Sequence, residues 1–206
     1  MASNPELEDR LNDIAEIRTL MERSAKFLSL SGLSGISAGV IALIGSWYVR
    51  SIVASVPANA SPELVAQTAG NAFVIAIAVL TFSLIAAIFF SVRMAKKQEL
   101  PLWSKAAQAM VIDLAIPLAV GGFVCILFFV RHAYEFILPL TLVFYGLALL
   151  NSSRHTVPEI RYLAFCDLVL GLASLVFPEH QYWFWAAGFG VLHILYGLLL
   201  VRTYER

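Results

Sequence analysis

Long apolar stretches separated by short polar ones dominate the chain from residue 28 onward. A membrane-spanning helix needs about 20 mostly apolar residues, because lipid offers no hydrogen-bond partner and a helix pairs its own backbone groups. The pattern predicts an all-α protein with two parts: an N-terminal segment, 1–26, and a six-helix transmembrane bundle, 27–206. The predicted spans are 28–49, 71–92, 107–130, 134–150, 160–177 and 182–201.

Capping residues and prolines mark where several of these helices begin, since both are favoured at the first turn. The second helix is expected to begin outside the lipid, near Pro62. Pro117 and Pro139 fall inside the third and fourth spans and are expected to bend them. The predicted starts are Ser61-Pro62-Glu63, Pro101, Thr156-Val157-Pro158-Glu159 and Pro178-Glu179.

Residues 5–26 are polar but carry an apolar stripe at helical spacing, which predicts an amphipathic helix. Six acids outnumber four bases in this segment, so adhesion to anionic lipid explains it poorly. We expect the helix to pack on the bundle or to pair with a cytoplasmic protein partner; an ordinary surface helix is the alternative. The stripe consists of Leu7, Leu11, Ile14, Ile17 or Arg18, and Leu20 or Met21.

The distribution of basic residues predicts the orientation. If the N-terminus is cytoplasmic, twelve of the 14 Lys and Arg residues lie in inner segments, and only Arg50 and Arg131 lie outside. This one-sided bias is the positive-inside rule, and it predicts that both termini are cytoplasmic. Interface aromatics are expected at the outer side: Trp47, Tyr48, Tyr182, Trp183 and Trp185.

Composition agrees with a membrane environment and excludes several functions. Apolar and aromatic residues make up 60% of the chain, charged residues 14%, and the mean hydropathy is +0.80, which soluble domains rarely reach. A net charge of zero gives no basic field, so nucleic-acid binding is not expected. Neither the histidines nor the cysteines are spaced as metal or haem ligands, and no catalytic or nucleotide-binding motif is present. We therefore expect no metal and no cofactor.

Three ionisable residues fall inside predicted spans: Asp113, Asp167 and His193. Such groups are unfavourable in lipid, so they usually face the bundle interior and are candidates for function. Asp167 and His193 lie near mid-membrane on neighbouring helices, where a contact could relay a proton or bind a ligand. Alternatively, the pair only fixes the register of two helices. Tyr145 and Tyr196, together with Tyr162, are candidates to extend this polar track.

Small residues recur every four positions in the first span, at Ser31, Gly35 and Gly39. This spacing lets two helix backbones approach closely, which drives helix association in lipid. The face predicts either a homodimer contact or packing within the bundle.

Three segments of the chain carry a resemblance: Met21-Glu22-Arg23-Ser24 with 27–35, Phe144-Tyr145-Gly146-Leu147-Ala148-Leu149, and 188–194. They resemble a group of uncharacterised bacterial inner-membrane proteins. The resemblance implies one polytopic domain in a bacterial cytoplasmic membrane and assigns no functional residue.

These features favour a non-enzymatic membrane protein that senses, scaffolds or regulates. It would use residues 5–26 toward a cytoplasmic partner and the bundle toward membrane lipid or a small ligand. The alternative is a small transporter or channel, proton-coupled through Asp113, Asp167 and His193. An intramembrane lipid-modifying enzyme has the least support.

Overall fold

The computed structural model describes residues 31–99 and 103–204, and both ranges are helical apart from short connections. The all-α prediction is confirmed for these ranges. The predicted helix at 5–26 and the predicted start at Pro101 lie outside the described residues. The helices are α1 (Gly32–Ala54), α2 (Pro62–Lys97), α3 (Lys105–Val130), α4 (Ile137–Ser152), α5 (Glu159–Val176), α6 (Gln181–Trp185) and α7 (His193–Tyr204).

A seven-residue π-helix, Ala186–Leu192, joins α6 directly to α7. The three elements follow one another without a break, and together they are called the last helix below. Short 3-10 turns precede α4, follow it and precede α6; they are Tyr134–Phe136, Ser153–His155 and Pro178–His180.

Serine side chains cap the first three helices. The Ser61 hydroxyl accepts a hydrogen bond from the backbone N–H of Leu64 at 3.3 Å, and Pro62 occupies the first turn. This bears out the predicted start of α2. Ser104 caps α3 in the same way, although no helix start was predicted at this residue.

The prolines at 117 and 139 differ in their surroundings. α3 continues through Pro117 from Lys105 to Val130. Pro139 is the third residue of α4, in the first turn, where a missing N–H removes no hydrogen bond within that helix. Pro139 therefore lies at the start of α4, where it is not expected to bend that helix from within.

Five helical stretches among the described residues are long and apolar enough to cross a membrane. This is the composition of a multi-pass membrane protein. α5 is not among them, because its 18 residues include Glu159, Arg161 and Asp167. The five are Gly32–Ala54, Pro62–Lys97, Lys105–Val130, Tyr134–His155 and Pro178–Tyr204.

The helices pack in an order that differs from their order in the chain. α2 packs on α1, α1 on the last helix, the last helix on α5, α5 on α4, and α4 on α3. α5 and the last helix therefore lie in the middle of this arrangement. α2 and α3 lie at its two ends, and their apolar side chains are largely exposed.

The small-residue face of α1 lies against the last helix. A Cβ atom added at Gly35 would stand 3.1 Å from the carbonyl oxygen of His193, and one at Gly39 would stand 2.6 Å from that of Gly190. Ser31, at the start of this face, is the N-cap of α1. The close approach occurs within the chain, so a homodimer, which stays a prediction, would need another face.

Candidate intramembrane polar site

Asp167 lies on the inward face of α5 and is completely buried. Within the described residues, neither of its carboxylate oxygens has a hydrogen-bond partner. It approaches the last helix at Gly188, where an added Cβ atom would stand 2.8 Å from Oδ1 of Asp167. The absence of a side chain at Gly188 therefore makes room for the carboxyl group.

His193 is the first residue of α7 and is buried, with 6% of its surface exposed. Its Nδ1 lies 2.8 Å from the carbonyl oxygen of Gly188, and its Nε2 lies 2.8 Å from the hydroxyl of Tyr145 on α4. A carbonyl oxygen can only accept, so Nδ1 carries the proton. In the neutral ring Nε2 then accepts the hydrogen bond from Tyr145.

The direct contact between Asp167 and His193 considered from the sequence is not formed. Each residue instead approaches Gly188, Asp167 at the α-carbon side and His193 at the carbonyl oxygen. The structure thus brings the two residues to one place through a glycine of the π-helix. Nothing in the hydropathy pattern identified Gly188 as part of the site.

The π-helix gives this region its unusual backbone. Its i to i+5 hydrogen bonds differ from those of an α-helix, and such segments occur often at functional sites. It is held between two neighbours: an added Cβ atom at Gly190 would meet Leu43 of α1 at 2.4 Å, and one at Gly188 would meet Leu142 of α4 at 2.5 Å. Side chains at these two glycines would displace the side chains of Leu43 and Leu142 from their present positions.

Aromatic rings cover the side of the cluster toward α6. Phe189 stacks on His193 at 5.9 Å between centroids and also contacts Tyr145 at 4.9 Å and Trp185 at 4.8 Å. The indole N–H of Trp185 donates to the Thr141 hydroxyl at 3.1 Å. From the sequence, Trp185 was predicted to lie at the membrane interface, and neither Phe189 nor Thr141 was predicted to belong to the cluster.

Asp113 belongs to a different part of the molecule. One of its carboxylate oxygens lies 3.2 Å from Nε2 of His155, and both side chains are about one-third exposed. The side-chain amide of Asn151 donates to the backbone oxygen of Asp113 at 2.8 Å. Asp113 is therefore tied to the end of α4 and its 3-10 turn, and it does not take part in the cluster around Gly188.

The tyrosines expected to extend the polar track divide in the same way. Tyr145 is part of the cluster through His193. Tyr196 packs against the core formed by α4, α5 and α7, and its buried hydroxyl has no hydrogen-bond partner among the described side chains. Tyr162 is 74% exposed on the outside of α5 and contributes nothing to the cluster.

No group of three or more His, Cys, Asp or Glu side chains is placed to hold a metal ion in residues 31–99 and 103–204. Comparison of the chain with protein-family models, with curated proteins and with solved structures found no match. The class that the fold defines is a helical protein of multi-pass membrane composition, with a closed polar cluster at its centre.

Proposed function

We propose that the chain is a six-span protein of a bacterial cytoplasmic membrane, with both termini in the cytoplasm. The sixth span is α5, which at 18 residues has a length of about 27 Å, close to the roughly 30 Å hydrocarbon core. Its charges do not argue against this, since Glu159 and Arg161 are in its first turn and Asp167 is enclosed by other helices. The orientation rests on the distribution of Lys and Arg.

A reporter fused after Arg206 tests this topology. We expect a cytoplasmic reporter to be active there and a reporter that requires export to be inactive. The reverse result would mean an odd number of spans or an inverted chain.

Within this topology the function we favour is non-enzymatic sensing or regulation. The observation that carries it is the separation of the three ionisable candidates. Asp113 pairs with His155 at an accessible end of the bundle, whereas Asp167 and His193 are enclosed around Gly188. A conduction path lined by all three residues would require them to share one hydrated cavity. A closed cluster where three helices meet is suited instead to stabilising one packing arrangement of those helices relative to an alternative one.

The proposed output is the N-terminal segment, 5–26, pairing with a cytoplasmic protein through its apolar stripe. A photo-crosslinking amino acid placed at Leu11, on the stripe, tests this in intact cells. The matched control is the same amino acid at Asp13, which a helical spacing puts on the opposite face. We expect one cytoplasmic protein to be crosslinked from Leu11 and not from Asp13. Equal crosslinking from both positions, or none from either, would contradict the proposal.

The second candidate is a proton-coupled transporter, and one observation favours it. A carboxyl group with no hydrogen-bond partner in the described part of the chain lies beside a π-helix in the middle of the bundle, and ionisable groups at such depth often mark ion pathways. Proteoliposomes loaded with a pH-sensitive dye separate the two functions. A proton flux that Asp167→Asn abolishes and Asp113→Asn preserves would establish the transporter and remove the regulatory proposal. The regulatory proposal expects no flux above that of empty liposomes.

A further inference from the structure

A cavity of about 260 Å³ lies beside α1, at the end of the bundle where α1 ends and α2 begins. Among the long helices, α2 packs mainly on α1, so most of its other side does not close against the bundle. Small side chains at Ala69, Ala72 and Ala76 of α2 face the space. Phe73 reaches across to Phe129 of α3, with ring centroids 5.1 Å apart, and limits the cavity on that side.

The walls of the cavity are almost entirely hydrocarbon, and it is partly open at the surface. A cavity with apolar walls does not retain water, but it does bind apolar molecules. The neighbouring residues Val74 and Leu80 of α2 are 67% and 63% exposed, so in a bilayer this helix is surrounded by lipid chains. Hydrocarbon chains are thus the molecules available at the opening.

The length of the cavity fits one leaflet of a bilayer. It follows α2 from Val65 to Val79, which corresponds to about 21 Å of helix. Half of the hydrocarbon core is roughly 15 Å thick, and the headgroup region begins beyond it. A lipid chain lying along α2 would therefore have its headgroup near the start of α2 and of α6.

Polar groups of the right kind lie at that end. Gln181, which lines the cavity, has a buried side-chain oxygen without a hydrogen-bond partner among the described residues. The guanidinium of Arg50 lies 4.9 Å from the centre of the Trp183 ring, and no carboxylate in residues 31–99 or 103–204 forms an ion pair with it. Arginine binds phosphate strongly through paired N–H groups, and an amide oxygen requires a donor.

We propose that this cavity is a phospholipid-binding site, in which one acyl chain lies between α1 and α2 and Arg50 binds the phosphate. Gln181 accepts a hydrogen bond from a headgroup donor, such as the ammonium of phosphatidylethanolamine or a hydroxyl of phosphatidylglycerol. The proposal depends on the bundle being embedded in a membrane. It does not depend on whether the protein regulates or transports.

The test uses the full chain, purified in detergent, delipidated and titrated with phosphatidylethanolamine or phosphatidylglycerol while bound lipid is counted by native mass spectrometry. Ala72→Trp fills the cavity, and its matched control is Val74→Trp, on the exposed side of the same helix. Arg50→Gln removes the guanidinium group that binds the phosphate. Its control is Arg131→Gln, which replaces an exposed arginine at the same end of the bundle. Thermal unfolding of each variant shows that it is folded.

We expect one tightly bound phospholipid per chain, at least tenfold weaker binding in Ala72→Trp and in Arg50→Gln, and unchanged binding in both controls. Equal binding by the wild type and Ala72→Trp would overturn the proposal. It would also be overturned if an uncharged alkyl detergent of the same chain length displaced the lipid at equal concentration, because the phosphate would then contribute nothing. These outcomes do not involve proton flux or crosslinking from Leu11, so this proposal and the proposed function can fail separately.

Discussion

The two sides of α1 make contacts of very different kinds. Toward the last helix, Gly35 and Gly39 approach backbone atoms, and the two helices are as close as their main chains allow. Toward α2, the atoms nearest to a Cβ atom added at Gly45 belong to the side chain of Val79, and a cavity of about 260 Å³ opens beside this contact. The first contact specifies one geometry, because any added atom would push a backbone away. The second leaves space that lipid can occupy, so α2 is the more loosely held neighbour of α1.

Gly39→Ala disturbs the close contact between α1 and the last helix, and we expect it to cause the largest loss of stability. The new Cβ atom would lie 2.6 Å from the carbonyl oxygen of Gly190 and 3.0 Å from the backbone nitrogen of Ile194. Because these are main-chain atoms, α1 and the last helix must separate. We expect a loss of about 1–3 kcal/mol, measured by unfolding of the detergent-solubilised protein in increasing dodecyl sulfate.

Gly122→Ala on α3 is the matched control. An added Cβ atom there has no neighbour within 4 Å among residues 31–99 and 103–204, and alanine favours the helix over glycine by roughly 0.5–1 kcal/mol. This variant should be as stable as the wild type or slightly more so. If Gly39→Ala and Gly122→Ala changed stability equally, the result would contradict a close backbone contact between α1 and the last helix.

The difference between the two sides of α1 also decides what the sequence could predict. The all-α class and the start of α2 at Pro62 follow from local hydropathy and capping, which depend on neighbouring residues only. The small-residue spacing in α1 indicated a close contact, but two partners satisfy that spacing equally well. The choice of the last helix depends on Gly190 and Gly197 being opposite, which only the tertiary arrangement shows.

The polar cluster was predictable to a similar degree. Charge in an apolar span was enough to select Asp167 and His193. The π-helix could not be foreseen, because it adds no recognisable residue pattern, and it places Gly188 between the two groups. Asp113 was assigned to the same site because a shift of a few residues in a predicted span decides whether a carboxylate is in lipid or at its edge.

Tyr145→Phe tests the polar cluster around Gly188 and should cause an intermediate loss of stability. It removes the hydroxyl that lies 2.8 Å from Nε2 of His193 and leaves a buried ring nitrogen without a partner. We expect a loss of about 1 kcal/mol in the same unfolding assay, near the usual size of such hydrogen bonds in membrane proteins. Tyr162→Phe is the control, since this side chain is 74% exposed, and it should leave stability unchanged. If Tyr145→Phe were as stable as the wild type, the cluster would contribute nothing to the packing of α4 on the last helix.

Asp113→Asn should cause the smallest loss of stability, because Asp113 lies away from the cluster around Gly188. The carboxylate lies 3.2 Å from His155 with both side chains about one-third exposed. The contact is an ion pair only while His155 is protonated, and exposed ion pairs contribute roughly 0.2–1 kcal/mol. The hydrogen bond from Asn151 goes to the backbone oxygen of Asp113, so the substitution preserves it. Salt screens such a pair, so the loss measured by unfolding should shrink as ionic strength rises. A loss of stability as large as that of Tyr145→Phe, and insensitive to salt, would place Asp113 with the enclosed residues around Gly188. The regulatory proposal would then fail, because it depends on Asp113 being separate from those residues.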